Sequence, residues 1–306
     1  MRRRIVASLV MLLAGSGPAV AQDVTLIPKL RRGDAFQLEV VRTRDNSSRP
    51  QQSSKGRSLV DVRVISASPD GFVIEWVPGD TVLDNPQAAQ DPLIGAASQA
   101  LRDIKFRLNL NADGELTGMA NKAEVAPKLK AMVAAIVSEL ALRVPDAQRK
   151  QFLDFMGQVL TAEVLIASAA RDAETYFGLN GVSLPSGEAV EVDIDQPNPF
   201  GGGSLPARFT VHMESATASS ASLKTTTTYD PASLVRLTES LAKQAGAPIS
   251  AEQLAKLPPI EMADDGTYLF DRDLGLMREV IVTRRITAGS NRRLDRWQIR
   301  LLKSPR

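Results

Sequence analysis

The chain has 306 residues, with 37 Lys and Arg against 35 Asp and Glu, one histidine and no cysteine. This length suffices for one large or two ordinary domains, and its 43% hydrophobic and 24% charged residues are typical of a globular protein. The lack of cysteine excludes disulfides, thiolate metal sites and cysteine nucleophiles, and a single histidine excludes a multi-histidine metal centre within one chain.

The first 21 residues have the pattern of a secretory signal peptide. Arg2 to Arg4 form a basic start, an apolar stretch of about ten residues follows, and a small-x-small cleavage site ends at Ala21. We expect cleavage between Ala21 and Gln22, a periplasmic protein, and no transmembrane segment in the mature chain. Without the three N-terminal arginines the formal net charge of +2 becomes −1, so the charge balance gives no reason to expect a nucleic-acid partner.

Residues 22–183 predict a β module followed by a helical block. Asp91-Pro92 predicts the start of a helix that runs to about residue 103. From Val125 apolar residues recur at helical spacing, and Pro145-Asp146 predicts a second helix that continues to near Ala173. Alternating apolar residues, separated by turn signals at Pro69-Asp70-Gly71 and Asp113-Gly114, predict strands at 35–44, 59–67, 72–77 and 106–110.

Residues 184–306 predict a second β module. A glycine-rich connection at 198–203 joins its first two strands, and Asp230-Pro231 predicts a helix that ends at Gly246. Ser250 to Gln253 has the pattern of a capping box for a short helix. Strands are predicted at 190–194, 209–213, 223–229, around 268, at 277–286 and at 296–302.

Two short patterns occur in both halves of the chain and indicate a duplication. Gly33 to Val40 resembles Gly187 to Ile194, since in both a glycine and an acid precede an alternating strand, and the hairpin at 108–116 resembles the one at 269–277. We therefore predict an α+β fold of antiparallel, duplicated, half-barrel-like curved sheets with a central helical block packed on one face. The segments are a signal peptide at 1–21, the N-terminal β module with its helical block at 22–183, and the C-terminal β module at 184–306.

These turn and strand motifs, with the closing hairpin from Gly266 to Gly275, resemble a family of exported bacterial proteins of unknown function. The resemblance implies two half-barrel-like β modules and brings no catalytic residue with it. The family usually has an aromatic residue soon after the glycine of the second module, where this chain has Ala189 and Val190.

The C-terminal segment from residue 272 to 306 is strongly basic, with ten Lys and Arg against three acidic residues. It has two interpretations: a basic face for anionic lipid headgroups or an acidic partner, or the solvated outer face of two strands. The candidates for an anionic-partner face are Arg284, Arg285, Arg292, Arg293 and Arg296.

Patterns typical of catalytic or metal sites are incomplete. Residues 109–114 match the first half of a calcium loop, but its twelfth position is Ala120 in place of a bidentate glutamate, and an Asp-Gly hairpin turn explains the same residues. His212 shares a strand face with Glu214 and is either a general base or an exposed strand histidine. Acid pairs that glycoside hydrolysis would need occur at Asp193 with Asp195 and at Asp264 with Asp265.

The leading hypothesis is a non-catalytic periplasmic protein that binds an apolar or amphipathic ligand or a cell-envelope component. One alternative is an envelope interaction or scaffold protein that acts through the basic C-terminal face. A second alternative is an envelope hydrolase that depends on carboxylates. We expect no cofactor and no metal, and the candidate partners are a lipid-like ligand or an envelope protein.

Overall fold

The structure, a computed structural model, describes residues 23–48, 50, 53–85, 104–185, 187–197, 204–244, 250, 252 and 260–305. The predicted signal peptide, the predicted helix at 91–103, the glycine-rich connection at 198–203 and most of the capping-box segment lie outside the described residues.

The strands are antiparallel throughout the described part of the chain, which confirms the predicted sheet type. Most of the strands extend beyond their predicted bounds, because the alternation of inward and outward side chains continues into polar residues at their ends. The strands are β1 Val24–Thr25, β2 Ala35–Asn46, β3 Ser54–Ser68, β4 Gly71–Leu83, β5 Phe106–Asn111, β6 Leu116–Met119, β7 Ser183–Leu184, β8 Ala189–Pro197, β9 Ser204–Ala216, β10 Ser220–Tyr229, β11 Ile260–Asp271, β12 Leu276–Ala288 and β13 Asn291–Lys303.

The central helical block is also confirmed, but one helix that we predicted as continuous is broken. At the break Thr161 has extended backbone angles, and its side chain accepts a hydrogen bond from the backbone N–H of Val164 at 3.3 Å. Thr161 therefore starts a new helix as its N-cap. The helices of the described chain are α1 Lys122–Ala141, α2 Asp146–Val159, α3 Ala162–Phe177 and α4 Pro231–Gln244.

Strands from both predicted halves join in one sheet of 11 strands, where the sequence implied two sheets. The strand order across the sheet is β6-β5-β4-β3-β2-β13-β12-β11-β10-β9-β8, so each half is a meander and the halves meet where β13 pairs with β2. β1 and β7 form a separate two-stranded sheet. The helix α4 lies between β10 and β11 in the chain and packs against β11 and β9.

The sheet is strongly curved, as the position of Pro28 shows. In a flat sheet the β5–β6 and β11–β12 turns would lie roughly 29 Å apart, since strands are spaced by about 4.8 Å. Yet a Cβ on Gly114 in the first turn would lie 2.3 Å from the ring of Pro28, and one on Gly275 in the second turn would lie 2.9 Å from the Pro28 carbonyl carbon. Both turns therefore reach the same residue across the bend.

The helix α3 lies against the inner face of the sheet, defined here as the face that carries the main hydrophobic core. Ala173, Tyr176 and Phe177 of α3 are buried in this core with side chains of both halves of the sheet. The Tyr176 hydroxyl donates a hydrogen bond of 2.7 Å to the backbone oxygen of Met277. α1 packs on α3, and α2 packs on α1, so the helical block is built outward from the inner face.

Candidate functional site

The inner face changes from apolar to charged along each central strand. On β2, the side chains of Phe36, Leu38 and Val40 are buried in the main core, and the next two inward positions are Arg42 and Arg44. The same change occurs on β12, where Val280 and Val282 precede Arg284, and on the paired strands β11 and β13. A band of charged side chains therefore crosses the inner face beyond the core.

Five guanidinium groups lie in this band, and we call them the arginine cluster. Four come from the sheet and one from α3, and each is near a carboxylate, an aromatic ring or another arginine of the band. The members of the arginine cluster are Arg42, Arg44, Arg171, Arg284 and Arg293.

Three of the arginines pair with two carboxylates at the centre of the band. Arg42 Nη2 lies 2.5 Å from Asp172 Oδ2 of α3. Arg44 Nε and Arg293 Nε donate to Asp295 Oδ1 at 2.9 and 3.1 Å. Burial raises the pKa of Asp295, but the hydrogen bonds from Arg293 and Arg44 outweigh that effect and lower it overall.

Arg284 makes the most complete ion pair of the cluster. It donates through Nε and Nη2 to the two oxygens of Asp264, each at 2.7 Å, and its Nη2 also lies 2.8 Å from the Tyr229 hydroxyl. Burial opposes the charged form of Arg284, but the hydrogen bonds and charge of Asp264 raise its pKa. Burial also raises the pKa of Tyr229, so this phenol stays neutral.

Arg171 differs from the other four because no carboxylate of the described residues lies within ion-pair distance of it. Its guanidinium is 6.0 Å from the centroid of the Trp297 ring, and that of Arg284 is 5.9 Å from the same centroid. Burial lowers the pKa of Arg171 and the positive charges of Arg284 and Arg42 lower it further, whereas the charges of Glu174 and Asp172 oppose part of this effect. Arg171 is thus a half-buried cation whose pKa is lowered overall by its surroundings.

The exposed atoms of the band are mainly those of its cations. The side chains of Asp172, Asp264 and Asp295 are only 8–12% exposed, whereas those of Arg42 and Arg44 are 56% and 50% exposed. A solute that approaches this part of the inner face therefore meets guanidinium groups, with the neutralising carboxylates beneath them.

One cross-strand row links the arginine cluster to apolar residues at the sheet edge. Each residue of this row is the direct strand partner of the next, and the row begins on β2 and ends on the edge strand β8. Phe209 and Val192, the last two members, are half-buried. The full row is Arg44, Asp295, Arg284, Asp264, Thr227, Phe209 and Val192.

A second, smaller apolar cluster lies beyond this row. Leu205, Ala207 and Tyr229 of the sheet and Leu234 of α4 are buried in it, and Ile194 and Ile286 pack against it. A pocket lies at the ends of β8, β9 and β10, mainly on the outer face, because residues such as Asp193 and Arg208 in its lining occupy outward positions. The pocket is lined by Asp193, Ile194, Asp195, Pro206, Ala207, Arg208, Thr228, Tyr229 and Asp230.

The structure divides the predicted basic face between the two faces of the sheet. Arg284 and Arg293 lie on the inner face in the arginine cluster. Arg285 lies on the outer face and pairs with Asp265, and Arg296 is exposed on that same face. Arg292 is exposed at the end of β13, where its backbone exchanges hydrogen bonds with Ser47.

The weaker candidates from the sequence do not come together. His212 lies on the outer face, where its neighbour Glu214 pairs with Lys224; the hydrogen bond from Lys224 lowers the pKa of Glu214. In the segment that matches the first half of a calcium loop, the Asn111 side chain donates to Glu115 and accepts from its backbone N–H, which closes a hairpin turn. No group of three or more potential ligands for a metal ion occurs among the described residues.

The candidate hydrolase carboxylates are also separated. Asp264 lies on the inner face, paired with Arg284, and Asp265 lies on the outer face. Asp193 and Asp195 are exposed on the edge strand β8, where Asp193 pairs with Arg208 at 3.2 Å.

Four members of the site were missed by the sequence reasoning: Arg42, Arg44, Arg171 and Trp297. A signal for the first two was present, since they continue the inward-facing row of Phe36, Leu38 and Val40 and so place charge where apolar residues are expected. No local pattern marks Arg171, because its neighbours come from strands more than 100 residues away in the chain.

Neither protein-family models nor curated proteins give a match to this chain. Two solved structures are similar to it in part. One, titled "Lipid-protein interactions in lipovitellin", has a TM-score of 0.41 and 6% identity. The match covers 90% of this chain and 26% of that chain. The other, a porin-like protein from Bacteroides uniformis, has a TM-score of 0.18 and 6% identity, with coverage of 88% and 96%. None of the described helices is long and apolar enough to cross a membrane.

Proposed function

We propose that this chain is an exported, non-catalytic protein that binds an amphipathic ligand on the inner face of its sheet. The observation that carries the proposal is the cross-strand row from Arg44 to Val192. Charged side chains occupy its first four positions, and half-buried apolar side chains occupy its end at β8. A ligand with a polar head and an apolar tail has a charged and an apolar part in the same order along its length.

The dimensions of the row suit a ligand of lipid size. From Arg284 on β12 to Val192 on β8 the row crosses four strand spacings, or about 19 Å. The half-buried side chains of Phe209 and Val192 keep apolar area that a ligand tail can cover, at about 25 cal/mol for each Å² removed from water.

Export supports the same proposal, since a signal peptide is the interpretation that best explains residues 1–21. A periplasmic protein meets lipids and other envelope amphiphiles, and binding them requires no catalytic constellation. The scaffold alternative has less support, because Arg285 on the outer face is neutralised by Asp265 and the rest of the predicted basic face is divided.

Native mass spectrometry tests the proposal. The full chain is expressed with its own signal, purified from the periplasm, and measured under native and then denaturing conditions. We expect an adduct of lipid size that is lost on denaturation. A bare protein mass in both spectra would contradict amphiphile binding.

A pair of neighbouring variants makes this test specific for the inner face. V192Q places an amide in the half-buried apolar end of the row, and E191Q makes the same residue on the exposed opposite side of the same strand. We expect V192Q to lose most of the adduct and E191Q to keep it. Equal adducts in both variants would place the ligand elsewhere.

A further inference from the structure

Arg171 is the member of the arginine cluster that has no ion-pair partner among the described residues, so its surroundings favour a bound anion. Among the described residues it has no carboxylate partner and makes no hydrogen bond through its guanidinium, while Arg42 and Arg284 add positive charge nearby. A half-buried cation loses hydration, and this loss is normally offset by a counter-charge. The charges of Glu174 and Asp172 offset part of this loss, but Arg171 itself makes no ion pair with the described residues.

Arg42 and Arg44 also have N–H donors that make no hydrogen bond with the described residues. Among the described residues, Arg42 donates only through Nη2, to Asp172, and Arg44 only through Nε, to Asp295. Each guanidinium carries five N–H donors, so most donors of both side chains remain available. Both side chains are about half exposed, which leaves these donors open to a solute.

We propose that Arg171 and Arg42 bind the phosphate group of the amphipathic ligand. The inference rests on the proposed function and deepens it by naming the chemistry of the headgroup. The guanidinium group of Arg171 comes from α3 and that of Arg42 comes from β2, and both lie near Trp297, which is the strand partner of Arg42.

Phosphate suits this arrangement better than carboxylate. The two coplanar oxygens of a carboxylate match the two donors of one guanidinium fork, as those of Asp264 match Arg284 in this same band. A phosphate monoester has three terminal oxygens in a tetrahedral arrangement and a charge of about −1.5 to −2, so it accepts hydrogen bonds from guanidinium groups in several directions. Arginines from two different elements supply those directions.

The proposal predicts an effect on the thermal midpoint of the protein as well as on ligand binding. Removing Arg171 takes away a half-buried cation that repels its neighbours, so R171Q should keep or raise the thermal midpoint of the ligand-free protein. The same variant should weaken binding of the ligand. A residue kept for structure would behave in the opposite way, because its removal would lower the midpoint.

Isothermal titration calorimetry with three probes tests the site in the purified, delipidated full-length mature protein. Dodecyl phosphate and dodecyl maltoside, both below their micelle concentrations, share a tail and differ in the headgroup, and inorganic phosphate lacks the tail. We expect dodecyl phosphate to bind most tightly and to weaken by about tenfold in R171Q, the loss of one charge-assisted contact. Its binding should also weaken from 50 to 500 mM NaCl, since salt screens the interaction.

Two further variants control the measurement. R296Q removes the same charge from the outer face of β13 and should leave all three affinities unchanged. R171K keeps the charge but lacks the planar fork, so it should bind dodecyl phosphate with an affinity between those of the wild type and R171Q.

Each other outcome is decisive. Equal binding of the two dodecyl probes, with no effect of R171Q, would overturn the headgroup site and leave the proposed function standing. Inorganic phosphate bound as tightly as dodecyl phosphate, and weakened by R171Q, would support the site as one for free phosphate and overturn the amphipathic ligand. Binding of none of the probes would overturn both.

Discussion

Replacing Gly275 by alanine should destabilise the protein by about 2–4 kcal/mol, mostly through contact with the N-terminal segment. Gly275 has a φ of +67° in the β11–β12 turn. A Cβ there would lie 2.4 Å from the backbone nitrogen of Lys29 and 2.6 Å from the backbone oxygen of Ile27. These are backbone atoms, so the clash cannot be relieved by rotation of a side chain.

The expected loss of stability in G275A has two contributions. An alanine with positive φ costs about 1–2 kcal/mol relative to glycine, less the smaller entropy that alanine has in the unfolded chain. Overpacking against a fixed neighbour adds about 1–3 kcal/mol. The neighbour is fixed because Leu26 N–H donates to the Val182 oxygen at 3.0 Å and Gly181 N–H donates to the Leu26 oxygen at 2.8 Å.

Gly33 provides the matched control. Its φ is +94°, but no atom lies within 4 Å of the position of its Cβ. G33A should therefore cost only about 1 kcal/mol, the backbone part. Equilibrium unfolding in urea, followed by the fluorescence of Trp76 and Trp297, measures both losses. Losses that agree within about 0.5 kcal/mol would refute the close approach of the turn to residues 27–29, and with it the curvature inferred from Pro28.

Three further predictions concern buried polar groups. Y176F should cost about 1–3 kcal/mol in chemical denaturation, because the buried oxygen of Met277 loses its donor; an unchanged midpoint would contradict this hydrogen bond. D264A should cost about 3–5 kcal/mol, since it leaves Arg284, with a side chain only 16% exposed, without its carboxylate; a loss below 1 kcal/mol would show that water reaches this guanidinium. Burial raises the pKa of Asp271, but hydrogen bonds to its carboxylate outweigh burial and lower it, so its contribution is complete above about pH 4 and is lost as the pH falls through the lowered pKa. Wild type should therefore lose more stability than D271N between pH 5 and pH 2, and parallel curves would argue against this shift.

Much of the fold was predictable because its signals are local. Alternation along Phe36, Leu38 and Val40 gave the strand β2, and Asp230, whose carboxylate accepts from the backbone N–H of Ser233 at 2.9 Å, gave the start of α4. The break at Thr161 was missed, because the apolar spacing of α2 continues into α3 and hides it. A capping threonine in a continuous apolar pattern is a weak signal.

The candidate site was only partly predictable. The C-terminal arginines form a charge run that predicts one basic face, but Arg284 and Arg285 lie on opposite faces, as neighbours on a strand do. Period-two alternation alone would have separated them. Arg284 pairs with Asp264, whereas Arg171 of α3 makes no ion pair with any residue in the described part of the chain, and both facts depend on contacts between distant elements.

The sequence by itself determined the strands, the turns, the helical block and the absence of cysteine chemistry, since each depends on residues close together in the chain. Only the tertiary structure decided that β13 pairs with β2, which makes one curved sheet of the two halves. That pairing sets Asp295 beside Arg44, 251 residues apart in the chain, and brings Trp297 beneath Arg171. Register between distant strands is fixed by the core they bury together, and no local pattern encodes it.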